Sequence, residues 1–258
     1  PWIWAFALLS LPVYLLSWPW LWHDTARRFG SYVAFHLHHV YYNIEYLGVN
    51  YNKPPFPWHY VLVTTALTLP VITQVLALLG LLGLRRLKSP TSAGAPGLLL
   101  VLGALWPMLL IARPGTPIFG AEKHWLPAIP FLALLAGVGL DALCREAAAA
   151  LRLRPREASL LGAGLTLLVL LPPALEVRRA QPYGLSHYNA LAGGPAGGAD
   201  LGMNRQFWGY ASRGVLSWLN EHAGRNASVY WHDANQDMLN MDVREHLLRD
   251  DITNSGME

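Results

Sequence analysis

Residues 61–84 read VLVTTALTLPVITQVLALLGLLGL, twenty-four consecutive positions without a charged side chain. A helix needs roughly 20 apolar residues to cross a bilayer core of about 30 Å. The stretch therefore predicts a membrane span, which we place at Trp58–Leu84. Four further segments have the same character: Pro1–Trp22, Pro96–Ala112, Trp125–Leu143 and Ala158–Leu175. The third and fifth of the series are short enough to be tilted or re-entrant. A buried bundle in a soluble protein fits less well, because core helices of this length carry a polar face.

Composition agrees with the spans. The 258 residues are 53% hydrophobic and 14% charged, against about a quarter charged in ordinary soluble domains. Six acidic residues lie in 1–175 and ten in 176–258. The expected organisation is thus a transmembrane region, 1–175, followed by a water-exposed C-terminal region, 176–258. Net charge is only +3, and the basic residues do not alternate with aromatics as in nucleic-acid readers, so no nucleic-acid partner is expected. One cysteine, Cys144, excludes an intrachain disulfide and a cysteine metal cluster. The opening PWIWAFALLSLPVYLLSWPWLW has no basic leader and no small-residue cleavage site, so it does not read as a signal peptide. It reads as the interior of a longer chain, as does the ending DDITNSGME.

Basic residues in short loops set the expected orientation. Arg85, Arg86 and Lys88 follow the second span; Arg145, Arg152, Arg154 and Arg156 follow the fourth. Those loops are assigned to the cytoplasm, and loops 23–57 and 113–124, with everything after 176, to the outer face. Arg178 and Arg179 run against this rule. The span interiors carry no Asp, Glu, Lys or Arg, Asp141 standing two residues from the end of the fourth. Transporters place ionisable groups at that depth, so the chemistry is expected in the outer loops.

The first outer loop ends in NYNKPPFPWHY, residues 50–60, where Lys53 sits among three prolines and four aromatic rings. Proline fixes φ and favours extended backbone on either side. A lysine held so stiffly suits a lipid phosphate, with Tyr51, Trp58 and His59 flanking a sugar or prenyl chain. A lysine snorkelling from a helix start is the alternative. Five of ten histidines lie between His23 and His59. On a helix through Thr25–Tyr42, His36 shares a face with Phe29, Val33, Leu37 and Val40, while Arg27, Ser31 and His38 lie opposite, the pattern of an interfacial helix. Trp18, Trp20, Trp22 and Trp58 bracket it as an aromatic belt. His36 and His39 are i,i+3 neighbours, yet no carboxylate accompanies them at ligand spacing, so no metal site is assigned.

The second outer loop, RPGTPIFGAEKHW, sets Arg113, Lys123 and His124 at span ends with Glu122 and Trp125 beside them. We expect Lys123 and His124 to open the fourth helix, where free N–H groups favour an anion. Interfacial anchoring is the alternative reading. No P-loop or Rossmann fingerprint occurs, so no nucleotide cofactor is expected.

Three segments together carry a resemblance: SWPWLWHDTARRFGSYVAFHLHHVYY, NYNKPPFPWHYVLVTTALTLP and GAEKHWLPAIPFLALLAGVGL. They resemble GT-C class membrane glycosyltransferases, specifically the bacterial relatives of the family 39 protein mannosyltransferases and of the aminoarabinose transferase. YGLSHYNALAGG and WGYASRGVLSWLNEHAG are similar to the outer C-terminal region of that group. The resemblance implies a polytopic protein of the bacterial inner membrane. It would move a sugar from a polyprenyl-phosphate carrier to an acceptor at the outer face, with membrane lipids around it and without a bound cofactor, divalent metal being left open. It also implies catalytic acidic residues upstream of Pro1, so no catalytic base is assigned; Asp24, His36 and Glu45 are candidates to line the cleft. Lys123-His124 stands where relatives carry Arg-His, losing the bidentate fork but keeping charge. Lys53, Arg113, Lys123 and His124 are accordingly the expected lipid-phosphate ligands, and Tyr51, Trp58, His59, Trp125 and His36 the sugar- or lipid-flanking residues. Where relatives carry an acid before Tyr-Trp-Gly, this chain reads Arg205-Gln206-Phe207-Trp208-Gly209.

In the tail, periodicity predicts a helix near Gly209–His222, a strand at Ala227–Trp231 and a helix near Gln236–Arg249. Glycines 193–198 read as a flexible linker, and Asp233, Asp237 and Asp242 as a solvated face. The fold expected is mainly α, a polytopic bundle of five spans with a small extracytoplasmic α/β C-terminal segment.

Overall fold

The computed structural model describes residues 2–38, 40–84, 96–205, 207, 209–231 and 234–256. The fold is mostly helical, and the chain divides into two compact units, Pro1–Tyr41 and Tyr42–Glu258. Residue 175 lies within a continuous helix, Pro155–Ala180.

In the first unit, α1 (Trp2–Ser17) is followed by a 3₁₀ turn (Pro19–Trp22) and α2 (Thr25–Leu37). Trp22 Nε1 donates to the Leu15 carbonyl at 2.9 Å and Thr25 Oγ1 to that of Leu21 at 2.6 Å, fixing the corner. Asp24, in the left-handed region, pairs with Arg27 in the first turn of α2. The Trp18 ring meets Tyr32 edge-on at 5.1 Å, and Tyr32 meets His36 at 4.4 Å. His36 thus lies on an exposed helix face beside an aromatic neighbour; His39 lies outside the described residues.

The second unit opens with an antiparallel hairpin, β1 (Ile44–Tyr46) and β2 (Val49–Tyr51), paired Ile44↔Tyr51 and Tyr46↔Val49. The long apolar run that follows is not one continuous helix. It forms α3 (Tyr60–Thr68) and α4 (Val71–Gly83), bent by 118° at Pro70. Proline cannot donate and pushes the residue before it out of the helical region; Leu69 duly sits at ψ 139. The carbonyls freed at this break would be costly in an apolar setting. Gln74 and Asn189 take them: each side-chain amide donates to Ala66 O and Leu69 O, at 2.6–2.9 Å.

The remaining helices are α5 (Pro96–Ile111), α6 (Ile129–Ala150) and α7 (Pro155–Ala180). With its preceding turn, α6 gives a largely apolar stretch of 25 residues from Leu126; α7 gives one of 26. These two are long and apolar enough to cross a membrane, or three spans if the bent pair counts as one. At 16 residues each, α1 and α5 reach only about 24 Å. The fifth expected span, read as short, is a helix of 26 residues that starts three residues earlier and runs five further, the Arg154 N–H and guanidinium both donating to Glu157 at its start. The residues expected to hold the first cytoplasmic cluster, Arg85, Arg86 and Lys88, lie outside the described residues.

Helices α4 and α6 cross at glycines. A Cβ on Gly80 would stand 1.8 Å from Leu135 O, and one on Gly139 2.0 Å from Leu76 O. Small residues allow this backbone approach, which is how helices associate where lipid removes the hydrophobic drive. Leu76, Ala77, Ala104, Leu135 and Ala136 form the core around the crossing.

The tail corrects several expectations. Residues 193–198 are no linker: α8 (Gly194–Asp200) packs Gly198 against the Tyr188 ring, closer than any Cβ would allow. Gly202, at φ +68, brings its carbonyl to the Gly48 N–H of the hairpin at 2.9 Å. The helix expected from Gly209 is a 3₁₀ turn (Tyr210–Val215) followed by α9 (Leu216–His222). Strands β3 (Ser228–Val229) and β4 (Thr253–Asn254) pair in parallel around α10 (Gln236–Arg244) but have two residues each, too few for an α/β layer. Asp242 is not solvated: it is 0% exposed and receives Arg213 Nε at 2.9 Å. Asp233 lies outside the described residues; Asp237 is exposed in the first turn of α10.

Candidate functional site

Within the second unit a cavity of about 360 Å³ opens among the start of α3, the turns before α6 and the loop after α7. Tyr60, Thr64, Glu122, Lys123, His187 and Tyr188 line it. Each arrives there for a local reason. Tyr60 and Thr64 are one helical turn apart on the buried side of α3. Glu122 and Lys123 lie in a 3₁₀ turn, Ala121–His124, entered through Gly120 in the left-handed region. His187 and Tyr188 follow α7 and are anchored by Asn189, whose N–H donates to Leu67 O at 2.7 Å.

The cavity wall has unmet hydrogen-bonding capacity. Thr64 Oγ1 and Glu122 Oε1 are buried without a hydrogen-bond partner among the described residues, as are Ser186 Oγ and Glu176 Oε2 close by. Each such group costs about 1–3 kcal/mol when left unpaired. His187 Nε2 stands 3.8 Å from Glu176 Oε2, beyond hydrogen-bond reach. Burial raises the Glu122 carboxyl above the ordinary range, against the pull of the Thr68 hydroxyl and His187. Burial likewise raises the Tyr188 phenol, reinforced by the negative charges of Glu122 and Glu45. Partial burial lowers the Lys123 ammonium, which lies 3.8 Å over the Phe119 ring.

Of the four expected phosphate ligands, Lys123 alone lines the cavity. It does so from a 3₁₀ turn, not from the N-terminus of α6, because a second turn (Leu126–Ala128) intervenes. His124 is directed into its own loop: the Phe119 N–H donates to its Nε2 at 3.1 Å. Lys53 and Arg113 are exposed and outside the cavity. Their two loops are nevertheless joined, since the Phe56 N–H donates to Pro114 O at 2.8 Å. Among the flanking residues, Trp58 is exposed and meets His59 edge-on at 5.6 Å. His59 Nδ1 is hydrogen-bonded to Tyr46 Oη at 2.6 Å; burial pushes the Tyr46 phenol up to about 12. Tyr51 packs half-buried against the core. Trp125 is a core residue, 0% exposed, its indole N–H donating to Thr65 Oγ1 at 2.9 Å, so it presents no surface to a sugar.

Thr64, Thr68, His187 and Asn204 complete the lining without having been singled out from sequence. The signal for the threonines was present: Thr64 and Thr68 are i,i+4 in an otherwise apolar run, hence on one helix face. A second, apolar cavity of about 260 Å³ lies among α3, α4, α5 and α6, and shares Thr65 and Leu69 with the first. Among the described residues no three His, Cys, Asp or Glu side chains group closely enough to hold a metal ion.

These features define a helical protein with membrane-length helices and a cavity, where helices and loops meet, whose wall holds a few polar groups. Comparison with protein-family models, curated proteins and solved structures finds no match to this chain.

Proposed function

We propose that this chain is part of a glycosyltransferase that takes its sugar from a polyprenyl-phosphate carrier and hands it to an acceptor at the outer face of the bacterial inner membrane. The observation that carries the reading is the pairing of two largely apolar cavities through Thr65 and Leu69, the first set apart by buried, unpartnered polar atoms and by Lys123 in its wall. A carrier-linked sugar matches both. Its hydroxyls donate to and accept from Thr64 and Glu122, its phosphate faces Lys123, and its prenyl chain takes the second cavity. As the sugar–phosphate bond breaks, the electron pair stays with the phosphate. A cation already in place stabilises that charge more in the transition state than in the ground state. Lys53 and Arg113, on loops tied by the Phe56–Pro114 hydrogen bond, serve to draw the anionic headgroup in. The resemblance of the outer loops and of the C-terminal region to GT-C enzymes supports the same reading.

The test is carrier binding in proteoliposomes containing radiolabelled polyprenyl-phosphate sugars. Lys123→Ala and Glu122→Gln are expected to weaken binding tenfold or more while the protein stays folded. Unchanged binding in both variants would overturn the reading. Tight binding without transfer to any acceptor would reduce the protein to a carrier-lipid binder.

A further inference from the structure

A third cavity, a groove of about 800 Å³, runs between the hairpin and the C-terminal segment. Its wall combines Trp218, Tyr230, Asn50, Asn204, Arg205 and Glu45. Glu45 and Asn204 also line the first cavity described above, so the two spaces share a partition. That partition is built: Asn204 Oδ1 accepts the Glu45 N–H at 2.7 Å, and Arg205 Nη2 donates to Glu45 Oε1 at 3.4 Å. The Tyr188 hydroxyl donates to Asn204 O at 2.6 Å and pins the same strand of chain.

We propose that this groove binds the sugar-bearing acceptor, a glycan chain, with its reactive end at the Glu45–Asn204 partition. The inference rests on the donor reading of the first cavity. Trp218 is 59% exposed, yet its ring lies flat on His222, 8° from parallel at 4.6 Å. The stack holds a large apolar ring in a fixed orientation at the surface. Such a platform suits the C–H face of a pyranose, at low cost in side-chain entropy. Around it, two amides, a guanidinium and a carboxylate offer paired donors and acceptors, the complement of neighbouring hydroxyls. A peptide fits less well. One mode of peptide binding extends a sheet edge, and β3, of only two residues, is too short to template it. Neutral glycan also agrees with the mixed charge of the wall, Arg205 being matched by Glu45.

The experiment uses the whole protein in lipid nanodiscs and saturation-transfer NMR with free trisaccharides of glucose, mannose and N-acetylglucosamine. In parallel, carrier-lipid binding is measured on the same samples. At least one trisaccharide is expected to bind, Trp218→Ala to weaken it tenfold or more, and Trp218→Phe to retain part of the affinity. Carrier-lipid binding stays unchanged in both variants, which also reports that they are folded. If no trisaccharide binds while the carrier does, the glycan groove is overturned and the donor reading stands. If a trisaccharide binds at Trp218 but the carrier does not bind, the groove stands as a carbohydrate site and the donor reading falls. If extended peptides bind in place of sugars and are lost with Trp218→Ala, the acceptor is a polypeptide and the inference is wrong.

Discussion

Burial raises the Glu122 carboxyl, so folding costs its ionised form more than its neutral form. A carboxyl in an unfolded chain titrates near 4.3. Stability from this group is therefore fully present below that value and is lost as pH rises through the raised folded value. Thermal unfolding in detergent across mildly acidic to neutral pH should show this decline in the wild type. Glu122→Gln, which cannot ionise, should flatten it. Asp251 behaves oppositely. The Arg249 guanidinium and the Asn226 N–H hold its carboxylate well below the ordinary range. Its contribution is present above about 3.9 and lost as pH falls through the folded value. Asp251→Asn should thus remove part of the acid sensitivity. The Glu122 shift could not be read from sequence, because its surroundings, Thr68 and His187, lie far along the chain; for Asp251 the partner Arg249 is two positions away, but the Asn226 N–H is 25.

At the scale of elements, the broken α3–α4 helix depends on groups more than a hundred residues away. Asn189 donates to Ala66 O and Leu69 O, and its own Oδ1 accepts the Leu191 N–H at 2.9 Å. Replacing Asn189 with Ala takes the acceptor from the Leu191 N–H and one donor from each of the two carbonyls, and is expected to cost about 3 kcal/mol, read as a lower midpoint in denaturant titration. Gln74 shares both carbonyls, so loss of Asn189 weakens the break without undoing it. The α4–α6 crossing is less forgiving. Gly80→Leu would set side-chain atoms into the Leu135 carbonyl and is expected to cost about 3 kcal/mol or more, with protein lost to aggregation on solubilisation. Much of this layer was legible. The apolar runs gave the helices, and proline at 70 marks a break that the residues alone carry. What misled was local propensity. Glycine-rich 193–198 argues against a helix, yet packing on Tyr188 imposes one. Asp242 looked like surface because its partner, Arg213, is 29 positions away.

Across the second unit, three cavities adjoin through shared residues: the second and the first through Thr65 and Leu69, the first and the third through Glu45 and Asn204. Sequence alone could place the loop cations but not this succession, since the Glu45–Asn204 partition joins residues 159 positions apart. The succession matters for how a lipid-linked sugar would be held. The first cavity alone would accept a short, water-soluble sugar phosphate as readily as a prenyl-linked one. Only the second cavity distinguishes them, by about 0.8 kcal/mol for each buried methylene. Leu78 lines that cavity from α4 with an exposed side chain, so a larger ring there fills space without disturbing the α4–α6 core. Leu78→Trp is expected to weaken binding of a long-chain polyprenyl-phosphate sugar about tenfold, the worth of two methylenes, and to leave a short-chain analogue unaffected. Competition binding with the two lipids measures the ratio directly. An equal loss for both would mean that the substitution acts through the fold, and an equal retention that the prenyl chain lies elsewhere on the helices.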